Sequence, residues 1–82
     1  MKKVNLDELN IGDAYCTGGS FNTNAGTYSG NWYQAHATDK NGSEYTIIWT
    51  DVDWDTEDEG NACNWESPDY ILDEYGYECE EE

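Results

Sequence analysis

The spacing of apolar and polar side chains is most informative in the middle of the chain. Residues 31–38 (NWYQAHAT) and 44–54 (EYTIIWTDVDW) are rich in aromatic and β-branched residues, and Asp39-Lys40-Asn41-Gly42 separates them. Two such runs joined by a short connection ending in Asn-Gly predict a β-hairpin, with Gly42 free to take the positive φ of the turn. In the second strand Ile48, Thr50, Val52 and Trp54 fall on one face, and Ile47, Trp49, Asp51, Asp53 and Asp55 on the other. That second face starts apolar and ends as a row of carboxylates, successive members about 6.6 Å apart along an extended chain.

The flanking segments read differently. Val4, Leu6, Leu9 and Ile11 form a short apolar lead-in, predicted as one helical turn that ends at Gly12-Asp13, and residues 14–17 read as a short strand. Residues 18–30 (GGSFNTNAGTYSG) have the composition of a long loop, anchored by Phe21 and Tyr28. A helix is predicted over residues 67–75, with Ser67 as N-cap, Pro68 at the first helical position, Asp69 at the positive end of the dipole and Gly76 as the stop. Its core-facing stripe would be Ile71, Leu72 and Tyr75. Residues 78–82 read as a frayed tail that leaves Cys79 close to solvent. The expected fold is a single α+β domain over residues 1–82: a small antiparallel sheet of three or four strands with one short helix.

Composition changes this picture in two ways. A chain of 82 residues buries only about 60% of its unfolded surface, yet 15% of its residues are aromatic, and rings that each bury on the order of 150–250 Å² argue for a packed core over a disordered acidic tail. The formal charge is -16, from 19 Asp or Glu against 3 Lys. Direct binding to nucleic acid or to an anionic membrane is excluded by that sign, because both require positive charge. The expected partners are basic proteins or metal cations. No apolar run reaches the length of a membrane span and the N-terminus lacks the apolar stretch of a signal peptide, which predicts a cytoplasmic protein. An odd three Cys with no CxxC suits a reducing compartment. The charge is also polarised, with 4 acids in residues 1–43 and 15 in residues 44–82.

Four chemistries are compatible with these residue types. Asp51, Asp53, Asp55, Glu57 and Glu59 alternate like the opening of a calcium loop, but Thr56 and Ala62 stand where an EF-hand needs Gly and Glu. Cys16, Cys63, Cys79 and His36 are the right types for zinc but lack paired spacing, and Cys16 and Cys63 read more simply as small buried residues. Catalysis by His36 or by paired carboxylates finds no second group placed beside them, so no enzyme, cofactor or metal is expected. The remaining chemistry is the charge itself. Solubility needs a net charge of magnitude roughly 2–8 on a small domain, and anything beyond that adds destabilising self-repulsion. Sixteen charges at the duplex spacing of about 1.7 Å correspond to roughly 27 Å of DNA.

Residues 21–32 (FNTNAGTYSGNW) resemble the aromatic-Asn, Gly, Gly-x-Trp pattern near the start of ArdA-type antirestriction proteins, through Asn22, Gly26, Gly30 and Trp32. Residues 44–51 (EYTIIWTD) are similar to that family's Glu-aromatic-x-Ile strand leading into an acidic turn, through Glu44, Tyr45 and Ile47. The resemblance implies a DNA mimic that blocks a bacterial DNA-targeting enzyme, and small acidic anti-CRISPR proteins are similar in size and charge. The expectation is an inhibitor that occupies the DNA-binding site of a CRISPR-Cas effector or a type I restriction enzyme in the bacterial cytoplasm. Its phosphate-like groups would be Asp51, Asp53, Asp55, Glu57, Asp58 and Glu59, with Glu66, Asp69, Asp73 and Glu74 as a second row. Trp54 and Trp65 would either anchor the rows or belong to the core. The alternatives are an acidic adaptor or chaperone for a basic protein, or a low-affinity calcium-binding module.

Overall fold

The hairpin predicted in the middle of the chain forms, and the architecture extends outward from it. The computed structural model describes residues 2–82, Glu59 by its backbone alone. Its strands are β1 (Lys3–Val4), β2 (Asn10–Ile11), β3 (Tyr15–Thr23), β4 (Gly26–Thr38), β5 (Glu44–Trp49), β6 (Tyr70–Asp73) and β7 (Glu78–Glu81), with single 3₁₀ turns at Leu6–Glu8 and Glu59–Asn61. They make one mixed sheet in the order β1-β7-β6-β5-β4-β2, and β3 pairs with the rest of β4. The β4–β5 turn closes with Gly42 N–H donating to the Asp39 carbonyl (3.1 Å) and Gly42 at φ +83°.

The expected α+β fold is therefore wrong, because residues 67–75 do not form a helix. Tyr70–Asp73 is a strand between β5 and β7, pairing Ile47 with Ile71 on one side and Ile71 with Cys79 on the other. A helix this short is marginal on its own. As a strand, the segment satisfies its backbone along both edges and buries Ile71 on one face of the sheet and Leu72 on the other. Asp69, expected in the first helical turn, instead accepts from the backbone N–H of Thr50 (2.7 Å) and Asp51 (3.0 Å), and β5 ends at Trp49 rather than at residue 54.

The sheet is curled. β1 and β2 stand at opposite ends of the strand order, five spacings or about 24 Å apart if the sheet were flat. The chain from Val4 to Asn10 spans at most about 21 Å fully extended, and part of it is wound into the Leu6–Glu8 turn. Curling brings the edges together. The inner face packs Val4, Tyr33, Ala35, Ala37, Tyr45, Ile47, Trp49, Ile71 and Cys79 under a lid made by Val52, Ala62, Cys63 and Trp65 of the β5–β6 loop. The predicted tail is thus a strand: Glu80 and Glu82 N–H groups donate to the carbonyls of Lys2 and Val4 (both 2.8 Å), and Cys79 is buried rather than close to solvent.

The expected loop at residues 18–30 is also strand, the distal half of the long β3–β4 hairpin. Gly19 and Gly30 are directly paired at φ +133° and +140°, where a side chain would be strained, and there the hairpin bends. The bend lays Phe21 and Tyr28 on the outer face over Trp32, Ile48, Leu72 and Tyr70. Phe21 meets Trp32 (4.9 Å) and Tyr70 (5.3 Å) edge to face, and stacks on Tyr28 (5.2 Å). At the tip, Asn24 N–H donates to Glu78 Oε1 (3.0 Å), so the arm reaches across to β7. Among the described residues no helix is long and apolar enough to cross a membrane.

Candidate functional site

The β5–β6 loop carries most of the predicted acidic row, and its shape is set by its own carboxylates. Asp53 N–H donates to the Ala62 carbonyl (2.6 Å), and the Asp53 side chain accepts from Asp55 N–H (3.1 Å). Asp58 accepts from Gly60 N–H (3.0 Å) and from the Asn61 amide (2.8 Å). Short acidic side chains often fold back on nearby N–H groups in this way, which fixes a turn. Trp65 ties the loop down: its indole N–H donates to the Gly60 carbonyl (3.0 Å), and its ring meets Trp49 (5.1 Å) and Tyr33 (5.4 Å) edge to face. Trp65 is thus part of the core, whereas Trp54 stacks on Tyr33 (5.7 Å) and leaves half its surface in solvent.

The ten predicted acids divide by what their carboxylates do. Asp53, Asp58, Asp69 and Asp73 brace backbone turns, Asp73 by accepting from Tyr75 (2.9 Å) and Tyr77 (3.0 Å) N–H groups. Asp51, Asp55, Glu57, Glu66 and Glu74 are exposed, and their carboxylates make no hydrogen bond or ion pair among the described residues. The side chain of Glu59 lies outside the described residues.

The first row stays together on the loop, but the second is scattered, because it depended on the absent helix. Asp69 and Asp73 lie at opposite ends of β6, about 13 Å apart at strand rise. Asp73 and Glu74 border a shallow hollow with Lys2, Glu44 and Tyr75. Tyr75, expected on the core stripe, and Tyr77 project from this turn at 78% and 71% exposure. Glu66 instead joins Asp7, Glu81 and Glu82 around an open groove of about 130 Å³. These last three acids were not in the predicted site, since only closure of the sheet brings both chain ends to the loop.

Of the basic residues, Lys2 and His36 have close partners. Lys2 Nζ sits 4.8 Å above the Tyr45 ring, and its pKa is raised, chiefly by the Tyr45 hydroxyl. Asp39 is held below the usual carboxylate value, first by the Ser43 N–H and also by the Asn41 N–H (both 2.9 Å). His36 is exposed on β4 with Glu44 at 3.6 Å.

The residue types considered for zinc are not brought together. Cys16 is exposed on β3, contrary to its expected burial; Cys63 is half-buried in the loop and Cys79 is buried on β7. Burial pushes the thiol pKa values of Cys63 and Cys79 up. Among the described residues no three or more His, Cys, Asp or Glu side chains are grouped to hold a metal ion. Comparison with known protein families, curated proteins and solved structures finds no match to the chain.

Proposed function

We propose that the protein is a non-enzymatic DNA mimic that occupies the DNA-binding site of a bacterial DNA-targeting defence complex, a CRISPR-Cas effector or a type I restriction enzyme, in the host cytoplasm. Charge per length carries this reading. The molecule measures 37 × 26 × 18 Å and bears a net -16, about one negative charge per 2.3 Å of its long axis. Duplex DNA bears about one per 1.7 Å. Such a body has the steering field of a short duplex and meets the Lys and Arg groups that line a DNA cleft.

The loop supports the same reading through its rigidity. Asp53, Asp58 and Asp69 brace the backbone, so Asp51, Asp55 and Glu57 are presented on a fixed frame and lose less entropy on binding. The resemblance of residues 21–32 and 44–51 to ArdA-type proteins points to the same class of target. The test uses purified effector complexes of both kinds, with binding measured in the presence of duplex DNA. Competition between the protein and duplex is expected, with affinity falling steeply as salt rises. Asp51→Lys, Asp55→Lys and Glu57→Lys together should abolish binding while the variant remains folded. Binding that duplex does not displace, or that survives the triple reversal, would refute the proposal.

A further inference from the structure

A second feature of the surface fits a more specific contact. Leu6, Ile11 and Trp65 line an open groove of about 510 Å³ together with Asp7 and Glu66. Leu6, Asp7 and Glu66 also line the smaller acidic groove, so the two are continuous and lead on to Glu81 and Glu82. No Lys or His lines either one. The volume lies within the roughly 300–1,000 Å³ of ordinary ligand sites.

We infer that this groove is a docking site for an arginine side chain on an exposed basic segment of a partner protein. The occupant follows from the lining. An apolar and aromatic wall next to two carboxylates suits a group that is cationic, flat and weakly hydrated. Guanidinium stacks on aromatic faces and pairs with carboxylates through a two-pronged hydrogen bond. A lysine ammonium is a strongly hydrated point charge and gains less from the indole. Trp65 is held in place for the role, because its N–H is bonded to the Gly60 carbonyl and its ring packs at steep angles on Trp49 and Tyr33. Trp and Arg are among the residues most enriched at interface hot spots, and hot spots on the two partners tend to pair. The inference goes beyond the DNA-mimic reading and does not rest on it, since a basic partner with no DNA site fits the groove equally well.

The test titrates ¹⁵N-labelled protein with the capped peptide acetyl-GLRGLRG-amide and with its Lys-for-Arg counterpart at physiological salt, following the Trp65 indole N–H signal. Asp7→Lys with Glu66→Lys is compared with Asp13→Lys with Glu44→Lys, which changes the net charge equally at positions that line neither groove. All four positions are exposed, and Trp65 itself is left intact because its ring belongs to the core. The Arg peptide should shift the Trp65 signal, and the groove variant should weaken binding at least about 10-fold, against less than about 3-fold for the control variant. Equal weakening by both variants, or a Lys peptide that binds as tightly, would overturn the inference.

Discussion

Truncating Phe21 to Ala tests whether the β3–β4 arm is a packed layer of the fold. Phe-to-Ala changes at fully buried sites cost about 3–5 kcal/mol. Phe21 is half-buried, which roughly halves that figure, but it also has three ring neighbours within 5.3 Å, and each aromatic pair is worth about 0.5–1.5 kcal/mol beyond its area. The expected loss is about 2–4 kcal/mol, a large share of the roughly 4–12 kcal/mol available to a chain of this length. Even the lower figure lowers Tm by about 8–16 °C. Urea unfolding followed by Trp fluorescence measures the loss directly, and Phe21→Leu should recover part of it. Hydrogen exchange gives a local readout: amides on both arm strands should be protected in the parent and exchange faster in Phe21→Ala. A loss below about 0.5 kcal/mol, with arm amides unprotected in both proteins, would mean that the arm is not packed and that the bend at Gly19 and Gly30 has no energetic role.

Two further predictions concern the carboxylates. Asp69→Ala removes the acceptor for two backbone N–H groups and should cost about 1–2 kcal/mol, whereas Asp55→Ala should stay within about 0.5 kcal/mol; equal costs in urea unfolding would contradict the division into bracing and free acids. The Ser43 and Asn41 N–H groups hold the Asp39 pKa below its ordinary 3.8, so ionised Asp39 stabilises the fold above that pH and the contribution is lost as pH falls through its folded value. The Tm gap between the parent and Asp39→Ala should therefore narrow from about pH 5 to about pH 2.5, and a constant gap would refute that assignment.

The β4–β5 hairpin was the legible part of the fold. Tyr33, Ala35 and Ala37 alternate against Tyr45, Ile47 and Trp49 on one face, and the Asp39–Gly42 turn has only one ready solution. What was not legible depended on pairing and packing that local rules do not show. Ser67, Pro68 and Gly76 obey the local rules of a helix, yet the open edges of β5 and β7 offered residues 70–73 more hydrogen bonding and two faces to bury. The glycines of residues 18–30 suggested a loop because composition does not show that Gly19 lies opposite Gly30, or Phe21 opposite Tyr28. For the candidate site, the position of the acidic row could be read from the sequence. Which acids brace turns could not, because that depends on where the backbone N–H groups of the loop point.

The pairing of β1 with β7 also has a consequence in time. Lys3 lies beside Glu80, 77 residues further along, so this contact has a very high sequence separation. Loop-closure entropy makes such contacts late and slow to form. During synthesis at roughly 5–20 residues per second, β1 waits on the order of 4–16 s for the strand it will join. Until then Val4 is exposed, the edge of β6 is unpaired and the acidic groove is missing one wall. The site that brings Glu81 and Glu82 to Asp7 and Glu66 is therefore completed only when the last strand is in place.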